Sequence, residues 1–224
     1  MTDQAIRVRV WDLPTRLFHW LLVGLFGLSW WSAENHAMDW HYRSGTLLVM
    51  LLVFRLIWGV IGGSTARFAH FAPSAGKLVA YLRKDPSAPL RAGHNPLGAL
   101  SVVALLGLLV VQVGTGLFAV DTDGLESGPL SALVDFDQGR TAAGVHGFAF
   151  NGLLVLAGLH VLAIAYYLVV RRRNLIGPMI TGSDRTVAAD SALVPAAWWK
   201  FAVAIAVAFC LGWWISAGAP LGSA

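Results

Sequence analysis

The chain alternates long apolar stretches with short polar ones. Five apolar segments stand out, at about Leu17–Ala33, Ser44–Ile61, Leu97–Val120, Ala142–Val170 and Ala197–Ala217. Each approaches the roughly 20 residues with which an α-helix crosses hydrocarbon. Inside a bilayer a segment must satisfy its own backbone N–H and C=O groups, so each is expected to be a transmembrane helix. The fourth is the longest and is expected to tilt or protrude. Gly144, Gly147, Gly152 and Gly158 leave room along it for a helix or a flat cofactor.

The polar segments orient these spans. Arg7, Arg9 and Arg16 precede the first; Arg67, Lys77, Arg83, Lys84 and Arg91 lie between the second and third; Arg171, Arg172 and Arg173 follow the fourth. The positive-inside rule puts all three groups on the cytoplasmic side. In the alternate loops, Glu34–Tyr42 is short and nearly neutral, and the loop after span three is acidic through Asp121, Asp123, Glu126, Asp135 and Asp137. The amino terminus is therefore expected inside and, with five spans, the carboxyl terminus outside. Trp30, Trp31 and Trp40, and Trp198, Trp199, Trp213 and Trp214 around the last span, read as interfacial anchors. Ser74–Arg83 is expected to form a short interfacial helix. The basic, then apolar, start resembles a signal peptide but has no Ala-x-Ala cleavage site, so it is read as a retained span.

Composition narrows the function classes. The chain is 57% hydrophobic and 12% charged. Its net charge of +4 sits in blocks beside the spans, where it reads as a topology signal, and no nucleic-acid partner is expected. The single cysteine, Cys210, excludes intrachain disulfides, Cys-ligated zinc and iron–sulfur clusters; without Cys-x-x-Cys-His there is no covalent c-type haem.

Histidines carry the candidate chemistry. His146 and His160 are fourteen residues apart on the fourth segment. At about 100° per residue they share a helix face, separated by about 21 Å along the axis. With the orientation above, His19 and His160 lie toward the cytoplasm, and His41 and His146 toward the outside. Two depth-matched pairs of imidazoles suit two haems, each iron taking two axial nitrogens. Such an iron is low-spin with no open position, which suits electron transfer. A histidine near a span end also serves simply as an interfacial side chain; His36, His70 and His94 are expected to be solvated or interfacial, with His94 an alternative to His19 as a ligand.

Arg16-Leu17-Phe18-His19-Trp20, His41-x-x-x-Gly45 followed by Arg55 and Trp58-Gly59, and the His146/His160 pair resemble the prokaryotic cytochrome b561 family, which includes hydrogenase-type cytochrome b subunits. The resemblance covers about Val8–Arg173. It implies an all-α integral membrane protein: a four-helix transmembrane bundle with two b haems, axial ligands His19, His41, His146 and His160, and electron exchange with quinone in the bacterial inner membrane. Arg55, fourteen residues after His41, and Arg16, about one turn before His19, are candidates to bind haem propionates. Residues 1–173 are read as the di-haem domain. Residues 174–224 are read as a linker and a fifth, peripheral transmembrane helix, with Ala202/Ala206 and Ala204/Ala208 as small-residue packing surfaces.

The expected partners are membrane lipid, quinone and either a periplasmic cytochrome c-like carrier or an oxidoreductase subunit. Whether the chain is an electron carrier or a quinone-linked oxidoreductase stays open. So does the quinone site, with Arg16, Arg55, Arg91 and His94 on one side and His36, Asp39 and Arg43 on the other. Two other readings are a self-contained oxidoreductase acting on superoxide or another small molecule, and a non-redox anchor or transporter with proton- or metal-binding histidines.

Overall fold

The computed structural model describes residues 7–71, 76, 79, 83, 96–186 and 192–219. The protein is mainly helical: β1 (Val8–Arg9), α1 (Leu13–Glu34), α2 (Met38–Ile61), α3 (Phe68–Phe71), α4 (Pro96–Phe118), α5 (Phe136–Val169), α6 (Ile176–Thr181), β2 (Ser183–Asp184) and α7 (Trp198–Ser216). The five apolar segments become α1, α2, α4, α5 and α7. Four of these, α2, α4, α5 and α7, are both long and apolar enough to cross a membrane. α1 has the length, at 22 residues, but Arg16, His19, Ser29, Ser32 and Glu34 dilute its apolar character. The expected Ser74–Arg83 helix, with Lys77, Lys84, Arg91 and His94, lies almost wholly outside the described residues.

The chain forms two compact units. The first comprises Met1–Leu17, Ile57–Leu105 and Leu156–Phe201. Asp12 is its polar centre. One carboxylate oxygen accepts the Thr15 N–H at 2.8 Å and caps α1, and the other accepts the Trp58 indole N–H at 3.0 Å. β1 pairs antiparallel with β2, Val8 opposite Asp184 and Arg9 opposite Ser183. Gly182 closes α6 at φ 85°, a left-handed conformation that glycine adopts without strain, and its carbonyl accepts the N–H groups of Val10 and Trp11. The segment before α7 is tied in as well. Leu193 N–H donates to Arg9 O at 2.8 Å, and Ser64 exchanges hydrogen bonds with Val194.

The second unit comprises Phe18–Leu56, Leu106–Val155 and Ala202–Ala224. Its apolar cluster of Val49, Leu130, Ile215 and Ala219 is flanked by Val53, Val113, Leu117 and Phe118. α7 contributes Ala204, Ala208 and Gly212, four residues apart and all buried. Met50 occupies the space where a Gly212 side chain would stand, so close approach needs glycine there. Ala204/Ala208 is thus the packing pair, and Ala202/Ala206 faces outward. The acidic loop folds back on itself, with Asp121 N–H on Glu126 O and Gly128 N–H on Ala119 O. Asp135 and Gln138 form a reciprocal capping box at the start of α5: Gln138 N–H donates to Asp135 Oδ1 at 2.8 Å and Asp135 N–H to Gln138 Oε1 at 3.3 Å.

Candidate functional site

The second unit brings His41 of α2 and His146 of α5 together. Their ring centroids are 6.1 Å apart and the ring planes are inclined at 79°. Each ring is oriented by a main-chain carbonyl of a neighbouring helix. His41 Nδ1 donates to Ser29 O of α1 at 2.9 Å, with Ser29 Oγ at 3.4 Å. His146 Nδ1 donates to Gln112 O of α4 at 2.8 Å. A carbonyl only accepts, so both protons sit on Nδ1 and each Nε2 carries a lone pair that can accept a hydrogen bond or ligate. The Gln112 side-chain amide completes this for His146, donating to Nε2 at 3.0 Å.

Glycine makes the approach of α4 to α5 feasible. A Cβ on Gly116 would lie 2.8 Å from His146 Cε1 and 2.9 Å from Nδ1, so any side chain there would push the ring off its carbonyl. Around Gly45, Gly114, Gly144 and Gly147, by contrast, an added Cβ would meet nothing within 4 Å. One turn along α5 from His146, Phe150 packs on Phe26 and Trp30 of α1, with centroids at 6.0 and 5.9 Å. Tyr42, next to His41, donates its hydroxyl to the Glu126 carboxylate and so ties α2 to the acidic loop.

This donor set fits a metal held by two imidazoles. Metal–imidazole bonds are about 2 Å long and the ring centre lies about 1 Å beyond the nitrogen, so two rings on opposite sides of one ion have centroids about 6 Å apart. The observed 6.1 Å is of that size, with His146 Nε2 here engaged by the Gln112 amide. Among the described residues there is no cluster of three or more His, Cys, Asp or Glu suited to a metal ion. A two-imidazole site suits an iron whose remaining ligands come from a macrocycle.

The other sequence-derived residues are distributed as follows. His19 lies in the second unit, half-buried and edge-on to Trp20, with centroids at 4.8 Å; His160 lies in the first unit, also half-buried. Arg55 is buried, 3% exposed, in the last third of the apolar α2, with its guanidinium 5.8 Å from the centre of the Phe18 ring. Arg16 donates to the Ile180 carbonyl, and its buried Nε has no hydrogen-bond partner among the described residues. His36 is exposed in the α1–α2 turn at φ 55°, and His70 is exposed in α3. Asp39 and Arg43 are exposed, Arg43 lying over Trp40.

Ser29, Gln112 and Gly116 are absent from the sequence-derived site. Gln112 had a signal, being one of only three polar side chains, with Ser101 and Thr115, in the apolar run Leu97–Val120. Ser29 acts through its carbonyl, a group every residue has, and so carried none.

The family model described as prokaryotic cytochrome b561 matches residues 10–182. A probable Ni/Fe-hydrogenase B-type cytochrome subunit from Azotobacter chroococcum mcd 1 is 24% identical over 211 residues, covering 78% of this chain and 87% of that protein. A protein of the same description from Azotobacter vinelandii is 23% identical over the same shares. No solved structure matches the chain. The chain belongs to the prokaryotic cytochrome b561 family, and is a multi-pass membrane protein that binds haem b and transfers electrons. The non-redox anchor or transporter reading falls with that membership.

Proposed function

We propose that this member of the prokaryotic cytochrome b561 family holds two b haems, one on His41 and His146 and one on His19 and His160, and passes electrons between quinone and a partner oxidoreductase. The observation that carries the reading is the matched pair of Nδ1–carbonyl bonds. Ligating histidines characteristically give their second ring proton to a carbonyl or carboxylate, which fixes the tautomer and raises the basicity of the ligating nitrogen. His41 and His146 both do so, through Ser29 O and Gln112 O.

The remaining residues take roles from their chemistry. A haem supplies a one-electron couple when bound. Neutral imidazoles on both faces leave its iron no open position, so the protein's part is orientation and tuning rather than oxygen chemistry. Arg55, buried within an apolar helix, and Arg16, whose buried Nε has no partner among the described residues, are suited to the haem carboxylates. α1 is read as the first crossing, since 22 residues reach across the hydrocarbon. The basic groups then put the amino terminus in the cytoplasm, the carboxyl terminus in the periplasm, and the His41–His146 pair toward the outer face of the inner membrane. Residues 1–173 form the di-haem domain, and residues 174–224 the linker and fifth helix.

The two relatives described as hydrogenase cytochrome subunits support a partner oxidoreductase as one end of the electron path; quinone is the other end in this reading. The acidic loop, anchored to α2 by Tyr42 and Glu126, suits a basic docking face on that partner. Purified protein in lipid nanodiscs tests the reading: two b haems per chain by pyridine haemochrome assay are expected, with reduction of a short-chain quinone by the pre-reduced protein. One haem in fully loaded chains would overturn the pairing.

A further inference from the structure

The two carbonyls that receive the imidazole protons share a second feature. Each also accepts a side-chain hydroxyl from the residue three positions on in its own helix. Ser29 O accepts His41 Nδ1–H at 2.9 Å and Ser32 Oγ–H at 3.0 Å. Gln112 O accepts His146 Nδ1–H at 2.8 Å and Thr115 Oγ1–H at 3.2 Å. Within a helix these carbonyls also face the N–H four residues on. A carbonyl oxygen has two lone pairs, so three donors compete for them.

That competition bears on the metal ligand. The stronger the acceptor on Nδ1–H, the more electron density reaches Nε2, and a more basic ligand favours ferric over ferrous iron. A hydroxyl drawing on the same oxygen weakens the bond to the imidazole. We propose that Ser32 and Thr115 are tuning residues, whose hydroxyls hold the reduction potential of the haem on the His41–His146 pair above the value those ligands would otherwise give. The inference rests on the ligand assignment proposed above. The two contributions are unequal. Ser32 is fully buried and directs its hydroxyl to Ser29 O, whereas the Thr115 hydroxyl is divided between Gln112 O and Val111 O, the latter at 2.7 Å.

The test is an optical redox titration of the full-length, haem-loaded chain in lipid nanodiscs. Ser32→Ala is expected to shift the ferric/ferrous equilibrium of one haem about threefold toward ferric, which is about 28 mV because tenfold is about 59 mV for one electron. Thr115→Val is expected to shift the same haem in the same direction by less, and Ser32→Thr to restore the original value. The other haem is expected to stay unmoved. A merely structural role for the hydroxyl would change haem occupancy or stability without this signed shift. An unchanged or raised potential in Ser32→Ala would overturn the inference; if that variant loses haem, the Thr115→Val shift decides in the same way. His41→Ala and His146→Ala serve as separate controls. If both keep the haem whose potential moved, the ligand assignment fails and the inference with it; if both lose that haem while the hydroxyl variants shift nothing, only the inference fails.

Discussion

His146 on α5 gives its Nδ1 proton to the main-chain carbonyl of Gln112 on α4, 2.8 Å away, and receives the Gln112 side-chain amide on Nε2 at 3.0 Å. One residue thereby fixes both the tautomer and the orientation of the ring. For the coordination proposed here, the carbonyl bond is the lasting partner. The amide takes the lone pair that a metal would use, and would have to give it up for His146 to ligate.

Replacing His146 with Ala is expected to remove the haem on the His41–His146 pair and leave the other. His160, fourteen residues on, is about 21 Å away along the axis and belongs to the other proposed site. The measurement is haem content with the reduced α-band spectrum. Equal loss of both haems from a folded variant would argue against independent sites.

Gly116→Val is expected to disrupt the same site without touching a ligand. A Cβ at 2.8 Å from His146 Cε1 cannot be accommodated unless the ring or helix moves. Gly114→Ala, two residues away with nothing within 4 Å of its added Cβ, is the matched control and is expected to bind haem normally. Haem content of the two variants, expressed in parallel, checks the contrast.

Asp12→Ala removes the cap on α1 and leaves the buried Trp58 indole N–H without its acceptor. Losing a cap costs about 1 kcal/mol and stranding a buried donor about 1–3 kcal/mol, so destabilisation of about 2–4 kcal/mol is expected. Thermal unfolding in detergent, followed by intrinsic tryptophan fluorescence, reads it. Asp12→Asn, which keeps one acceptor oxygen, is expected to fall between.

Gly212→Leu on α7 would force Met50 out of the space it fills and separate α7 from α2. Loss of stability is expected, by about 1–3 kcal/mol for overpacking. Ala206→Leu, on the outward face of the same helix, is expected to change stability little. Equal effects would contradict the assignment of the packed face.

The sequence by itself determined the membrane class, the helical spans and the candidate histidines. Those features arise from local physics: a run of about 20 apolar residues has few alternatives to a helix in lipid, and polar side chains within such a run stand out against it. The spacing of His146 and His160 follows from helix geometry alone. Family membership was legible for the same reason, since its marks are residues at fixed positions in the chain.

Only the tertiary structure decided what orients those residues. Ser29 and Gln112 act through main-chain carbonyls, which are the same in every residue and acquire a role only when another helix brings an imidazole within 3 Å. Gly116 and Gly212 likewise differ from the other helical glycines only in what stands opposite them, the His146 ring and the Met50 side chain. The small-residue pattern of α7 offered two packing surfaces, and burial chose Ala204/Ala208 because Gly212 extends that stripe by one more turn. Asp12, which the sequence did not single out, became the centre of its unit because Trp58, forty-six residues later, needs an acceptor for a buried N–H.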